Sequence, residues 1–455
     1  MSRDRHVLSH KLVQMTALCW TVEPPRDEPV LASVDTDPST DTDLAAGTDL
    51  ATDANPTALN KQFNEIGSKI ATAKSKLDDI PPKTYTALAR ELDIYGQLKK
   101  RLAGKFSLPV VTNATLKMYE MLCTFPLIAV TRPLQIRAFC NAELPGAFLV
   151  ALNLYVDGLL TERVGAPVEF DWVASSYWPG ASSAAPASST YLDDKYKIYA
   201  RHRDRWFMGP RPNAMPEGEP PVSGDMTDSS VIAAIADAVH VRYPEVAATP
   251  HIHSGATLYT SDAGIDVSGD YNRQEEHTVL LNFGQVVCGI LSLAPGGVLV
   301  TKQYTFLTEF NRELITLLST LFESLQIVKP VTSRPANSEI YLIGIGFLGV
   351  DRALADSLLD LLTVMKRSEV SPGAAICSHH LLRGGMKMQL TADRKLLAIA
   401  DELAQIQIKY LHEITALFMA TRGRDQRSAL QAFTEPVART AISAWMDANP
   451  IVVRK

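Results

Sequence analysis

The chain has 455 residues, enough for two to three structural units and a sizeable core. Hydrophobic residues make up 46% and charged residues 21%, as in an ordinary soluble globular protein rather than a membrane-spanning or wholly disordered one. Eight acids between Asp27 and Asp53, with no Lys or Arg among them, account for the net charge of −6; without them the remainder carries +2, so charge alone does not argue for a nucleic-acid partner.

Residues 1–58 read as an acidic tail without order. The run "DTDPSTDTDLAAGTDLATDANP" is low in complexity and poor in large apolar residues, too poor to offset the entropy of ordering. Residues 59–105 follow with helical spacing: Phe63, Ile66 and Ile70, then Leu88, Leu92 and Tyr95 after a break at Pro81-Pro82. A helical hairpin or short bundle is predicted there.

From 106 to 347 short β-rich runs alternate with helical patterns. The runs are "LPVVT", "FDWVASSY", "ATLYTSDAG", "GVLVTKQY" and "EIYLIGIGF". The clearest helix covers 274–294, with acids at its start, where the helix dipole favours them, and Pro295-Gly296-Gly297 at its end. Such alternation predicts an α/β domain with a mostly parallel sheet, whose ligands bind at the carboxyl ends of the strands. Asp262 and Lys302 fall at two such ends. Glu339 begins its strand, which reaches the same edge if that strand runs antiparallel. Residues 348–455 return to helical spacing in "LADSLLDLLTVMKR", "ADRKLLAIADELAQIQIKYLHEITALFMA" and "SALQAFTEPVARTAISAWM", a region for packing or for a protein partner.

The five cysteines, Cys19, Cys123, Cys140, Cys288 and Cys377, are odd in number and widely spaced, with no CxxC pair. They read as reduced thiols in an intracellular compartment, with no metal site. The N-terminal segment lacks the pattern of a signal peptide, and the longest nearly apolar stretch, Val286 to Val300, is too short to span a bilayer. A soluble protein without a membrane partner is expected.

Six segments then occur in a telling order: "VTNATLKMYEML" (111–122), "AFCNAELPGAFLVALN" (138–153), "GDMT" (224–227), "LYTSDAGIDVSGDYNRQEE" (258–276), "GGVLVTKQYTF" (296–306) and "KPVTSRPANSEIYLIG" (329–344). Together they resemble FtsJ-like RNA ribose 2′-O-methyltransferases, and most of all the cap methyltransferase-like proteins of the asfarvirus type among large cytoplasmic DNA viruses. The resemblance covers about 106–347. It implies an α/β, Rossmann-like sheet with helices on both faces, extended here by helical regions at 59–105 and 348–455. It also implies S-adenosylmethionine as cofactor, capped mRNA 5′ ends as the RNA partner, and a location in the virion or host cytoplasm.

Carried over by motif, the resemblance implies a catalytic tetrad of Lys117, Asp262, Lys302 and Glu339. A ribose hydroxyl is a very poor acid and must lose its proton as it attacks a methyl group. A lysine can take that proton only if burial and a second cation bring its pKa down. Lys302 is the expected base and Lys117 its neighbour, with the two carboxylates as orienters. Taken singly, Lys117 could be a solvated helix residue, Asp262 a turn residue, Lys302 an edge gatekeeper and Glu339 a cap.

The cofactor site implied by the resemblance comprises Asn141, Glu143, Pro145, Gly146, Ala147, Phe148, Asp225 and Asp262. Ala147 stands where a second glycine is common. Ser333, Arg334, Asn337 and Ser338 would shape the mouth of the ribose site. The stretch "DDKYKIYARHRDRWF" (193–207) mixes cations and aromatic rings, as an RNA-binding surface or a half-buried amphipathic helix would. Trp172, Trp178 and Trp206 are candidates for stacking on a methylated guanine or for the core. Two rivals remain at this point: an inactive methyltransferase fold serving as a structural or virion component, and a ribosomal RNA ribose methyltransferase.

Overall fold

The computed structural model describes residues 18–22, 56–81, 83–85, 88, 92–106, 108, 110–128, 135–166, 168–177, 194–208, 223–246, 253–265, 273–367, 386–421 and 426–453. The acidic run 27–53, Trp178 and Cys377 lie outside them. Seven strands form one sheet: β1 (Leu18–Val22), β2 (Gln135–Asn141), β3 (Glu169–Ala174), β4 (Ala256–Ser261), β5 (Leu293–Gln303), β6 (Phe322–Lys329) and β7 (Ile340–Phe347). Their order is β1-β6-β7-β5-β4-β2-β3. Pairs β3-β2, β2-β4 and β4-β5 are parallel, while β5-β7, β7-β6 and β6-β1 are antiparallel.

The antiparallel β7 decides where Glu339 goes. Gln303 pairs with Ile340 and Lys302 with Tyr341, so the start of β7 meets the end of β5. Asn141 and Ser261 pair at the ends of β2 and β4, which brings the residues after both strands to the same edge.

The main helices are α1 (Pro56–Ser75), α2 (Gly96–Phe106), α3 (Asn113–Thr124), α4 (Ala147–Leu154), α5 (Ser229–Arg242), α6 (Gln274–Ser292), α7 (Glu309–Leu321), α8 (Arg352–Arg367), α9 (Met386–Thr421) and α10 (Gln426–Ala448). They cover both faces of the sheet. Alternation along the strands sorts the two cores. Ile340 and Leu342 of β7 join Phe63, Ile232, Phe283, Leu314, Leu358 and Leu396 on one face. Tyr341 and Ile343 join Leu98, Leu116, Leu149 and Trp445 on the other. The C-terminal helices are thus divided between the two layers: α9 packs beside α1, and α10 sends Trp445 into the opposite core. Buried Arg312 of α7 ties one layer together, donating to Asp393 at 3.0 Å and lying 4.1 Å from the Phe63 ring centroid.

Four expectations need correction. Leu18–Val22 lies in the tail expected to lack order, yet it pairs along β6, because Val22 is buried and Trp20 donates to Glu402 at 2.9 Å. The described residues of "LPVVT" form no strand; Thr112 and Thr115 exchange hydrogen bonds in a capping box, and that local closure starts α3 instead. Between Lys302 and Glu339 runs an additional strand, β6, whose alternation in "FESLQIVK" carries the missing signal. The helix expected to stop at Pro295 ends at Ser292, and β5 begins at once.

Candidate active site

The four charged residues of the motifs meet at the carboxyl edge. Lys117, on the inner face of α3, donates to Glu339 Oε1 at 2.6 Å. Lys302 Nζ donates to the backbone oxygen of Asp262 at 2.8 Å and lies 3.3 Å from its Oδ1. Cross-strand pairing sets Tyr341 beside Lys302, and the Tyr341 hydroxyl donates to Asp262 Oδ1 at 2.7 Å. Lys117 Nζ stands 5.4 Å from the Tyr341 ring centroid, and Phe148 packs on that ring at 6.3 Å. A Cβ at Gly264 would come within 2.9 Å of Lys302 Nζ and 3.1 Å of the Tyr304 hydroxyl, so the backbone of "SDAG" approaches both groups closely.

Electrostatics separates the two ends of the corner. Burial opposes the charge of Glu339, but Lys117 and then Lys302 outweigh it and hold the carboxyl below the usual range. Burial likewise opposes the Lys302 ammonium, yet Asp262, Tyr304 and Glu339 outweigh it and hold Lys302 above the ordinary lysine value. That direction is the reverse of the one expected for a base. The nearby negative charge dominates over burial.

The turn from β6 to β7 is bound at several points. Glu120, one helical turn after Lys117, accepts from Val331 N at 2.6 Å, Thr332 Oγ1 at 2.9 Å and Trp445 Nε1 at 3.4 Å. Burial raises Glu120 to about 7. Lys329 donates to the backbone oxygens of Asn337 at 3.0 Å and Glu339 at 2.8 Å, and burial lowers it to about 8. Lys329, Glu120, Tyr304 and Tyr341 were not singled out from sequence. All four lie within the ordered motifs, but only tertiary contact reveals what they hold.

Ser333 Oγ donates to Glu339 Oε1 at 3.1 Å. Asn337 Oδ1 accepts from Lys329 at 3.1 Å, and Ser338 Oγ accepts from Gln407 Nε2 of α9 at 3.2 Å. Those three side chains are engaged within the protein. Arg334 is exposed and borders a separate cavity of about 60 Å³ with Asp93, Tyr95 and Tyr410.

Next to the corner opens a cleft of about 410 Å³. Asn141, Asp225 and Asp262 line it, with Ala142 and Leu144 after β2 and Tyr177 after β3. Asn141 Nδ2 donates to Ser261 Oγ at 2.9 Å, while its buried Oδ1 has no partner. Asp225 Oδ1 accepts from Thr227 N at 2.9 Å, and its Oδ2 lies 3.3 Å from Lys366 of α8. Gly224 sits at φ 77°, and a Cβ there would overlap Ser176 O; only glycine lets these two loops cross.

Glu143, Pro145, Gly146, Ala147 and Phe148 are not among the lining residues. Glu143 is buried, accepts from Leu149 N at 2.9 Å inside the first turns of α4, and is raised by burial to about 8. A buried acceptor, a carboxylate with an oxygen facing a cation, and apolar walls suit a ligand with a polar, amine-bearing ring and an extended tail. S-adenosylmethionine has that make-up.

Trp206 is core, packed edge-on against Tyr199 at 5.7 Å, and Trp172 lies under Arg205 at 5.1 Å. Among the described residues no three His, Cys, Asp or Glu side chains could hold a metal ion, and no helix is long and apolar enough to cross a membrane. The four described cysteines are free.

Residues 213–347 match the model of the FtsJ-like methyltransferase family. The chain is 35% identical over 294 residues to a "probable methyltransferase" of African swine fever virus, a match covering 64% of this chain and 63% of that protein. An uncharacterised protein of Acanthamoeba polyphaga mimivirus is 30% identical, over 62% of this chain and 31% of its own length. The cap-specific mRNA (nucleoside-2′-O-)-methyltransferase 2 of Drosophila melanogaster is 26% identical, over 64% of this chain and 36% of its own. The match thus spans less than two thirds of the length of each relative. The FtsJ-like and asfarvirus resemblance read from the six ordered motifs is shown by these similarities.

Proposed function

We propose, from the FtsJ-like segment at 213–347, that this chain is an S-adenosylmethionine-dependent RNA ribose 2′-O-methyltransferase acting on the cap-proximal nucleotide of viral mRNA. The observation that carries the reading is the buried corner in which Lys117–Glu339 and Lys302–Asp262 pair beside an open cleft. Burying two cations and two acids has a large desolvation cost, which a merely structural protein could avoid with apolar side chains.

Asn141, Asp225 and the backbone around Ala142 and Ala263 would hold the cofactor. When bound it supplies an electrophilic methyl group and a positive charge that favours a neutral lysine nearby. The residues of the corner then have separable tasks. Asp262 anchors Lys302 through two oxygens and is itself fixed by Tyr341. Lys302, as the neutral amine, would take the proton of the acceptor oxygen as the new C–O bond forms and the methyl–sulfur bond breaks, its electron pair leaving on sulfur. Lys117 and Glu339 hold the opposite wall, and Glu120 with Lys329 keeps that wall in register. Positioning supplies much of the acceleration in such an in-line transfer.

The expected setting is the virion or the host cytoplasm, as for a viral capping activity. The test incubates purified protein with methyl-labelled S-adenosylmethionine and short RNAs that are uncapped, guanosine-capped or N7-methylguanosine-capped. Label on a ribose of capped RNA alone is the expected result. Label on uncapped RNA alone would refute the cap substrate. No label together with no cofactor binding would favour an inherited fold with a structural role.

A further inference from the structure

The function above leaves the cationic, aromatic stretch at 193–207 unused. Its structure divides it in two. Arg205 belongs to the scaffold: it pairs with Asp171, which also holds Arg242 at 2.9 Å. Lys195, Lys197, Arg201 and Arg203 are all exposed, and no acid lies between them. Exposed Asp204 follows the last of them. Asp194, which precedes the first, is buried and spends both oxygens on the backbone, accepting from Tyr199 N at 3.0 Å and Ala200 N at 2.9 Å. Among the described residues Lys195, Lys197 and Arg201 have no carboxylate partner.

The cationic turn is held firmly and at a defined place. Lys197 adopts φ 59°, and its N–H donates to Asp194 O at 2.9 Å. Tyr199 and Trp206 anchor the turn in the core, and Phe207 N donates to Ala174 O at the end of β3 at 2.8 Å. Ile198, between the cations, lies directly on Gly146; a methyl at that glycine would overlap it. Leu144, two residues earlier, lines the cleft, and so does Tyr177, which is 48% exposed. The cations therefore stand on the same sheet edge as Lys302, one residue layer from the cleft.

We infer that the turn Lys195–Arg203 docks the sugar–phosphate backbone of single-stranded RNA leading to the acceptor ribose, with Tyr177 as a stacking platform at the cleft rim. This rests on the methyltransferase reading for the identity of the polyanion. The physical basis is separate: several unneutralised cations on a rigid turn attract phosphates, and an exposed ring beside them stacks on any base.

The test measures fluorescence anisotropy of a short labelled single-stranded RNA at several salt concentrations. Three proteins are compared: the parent, a triple variant Lys195→Glu, Lys197→Glu and Arg201→Glu, and a control with the same charge change on distant exposed positions, Lys61→Glu, Lys69→Glu and Arg439→Glu. The triple variant is expected to bind at least tenfold more weakly than the control. Its slope of log affinity against log salt should fall by about 2. S-adenosylmethionine binding and thermal unfolding serve as checks that the cleft is intact, and a Lys195→Gln, Lys197→Gln, Arg201→Gln protein replaces the charge reversal if it fails to fold. A triple variant that binds RNA as tightly as the control overturns the docking site. Selective loss of RNA affinity in a protein whose parent methylates no RNA sustains the docking site while removing the enzyme reading.

Discussion

The corner around Lys302 and the cleft around Asp225 share one sheet edge and are built differently. In the corner each charge has an opposite partner, and the long side chains are clamped by Tyr341, Ser333 and the carboxylates themselves. In the cleft the walls come from loops after β2, β3 and β4, and a buried acceptor, Asn141 Oδ1, stands without a partner. The charges of the corner are held by fixed internal partners, as electrostatic catalysis requires. The cleft keeps hydrogen-bonding capacity in reserve, as a binding site requires. Chemistry and affinity should therefore respond to different substitutions.

The largest effect expected from that division is on turnover. Lys302→Ala should lower single-turnover methyl transfer about 10³-fold while the thermal unfolding profile keeps its shape, as a differential scan beside the rate would show. Next comes stability. Lys117→Met strands Glu339 in the interior without its 2.6 Å partner and should cost about 3 kcal/mol in urea unfolding. Adding Glu339→Met should recover much of that loss; a double variant as unstable as the single would break the view that the pair is mutually compensating.

Lys329 gives a pH signature of about 3 kcal/mol. Unfolded, this lysine has its ordinary value of 10.5; folded, burial lowers it to about 8. Between those values the unfolded chain binds the extra proton, so raising the pH favours the fold, and the charged form is a burden below about 8. Parent protein should gain stability relative to Lys329→Met as the pH rises through that window. Parallel curves would show that Lys329 bears no such penalty. The smallest change belongs to the cleft: Asp225→Asn should weaken S-adenosylmethionine about tenfold, read by calorimetry, through loss of one charge-assisted hydrogen bond.

The same division explains what could be read from the sequence. Asp262, Lys302 and Glu339 lie in separate motifs, and their meeting follows from one inference, that β7 runs antiparallel to β5; Lys117 lies on helix α3, and only the family resemblance assigns it to the same group. Four of the five β-rich runs correspond to β3, β4, β5 and β7, while β1, β2 and β6 lie outside them. The direction of the Lys302 shift was not legible, because it depends on how closely Asp262, Tyr304 and Glu339 approach the buried amine, a matter of ångströms. The cleft was the less legible half. Tyr177, Met226 and Ile265 line it through loops that no periodicity marks. Glu143, which the resemblance implies as a cofactor contact, accepts from Leu149 N near the start of α4. Ser338 and Gln407 are 69 residues apart, and nothing short of the packing of α9 could pair them.

One paired measurement tests the division most directly: the S-adenosylmethionine Kd and the cofactor-saturated single-turnover rate on capped RNA, for Lys302→Ala and Asp225→Asn side by side. The account requires a crossed pattern, with Lys302→Ala keeping the parent Kd and losing the rate while Asp225→Asn loses affinity and keeps the saturated rate. If both variants lose affinity and rate together, or Lys302→Ala transfers methyl as fast as the parent, the corner is not where the chemistry happens.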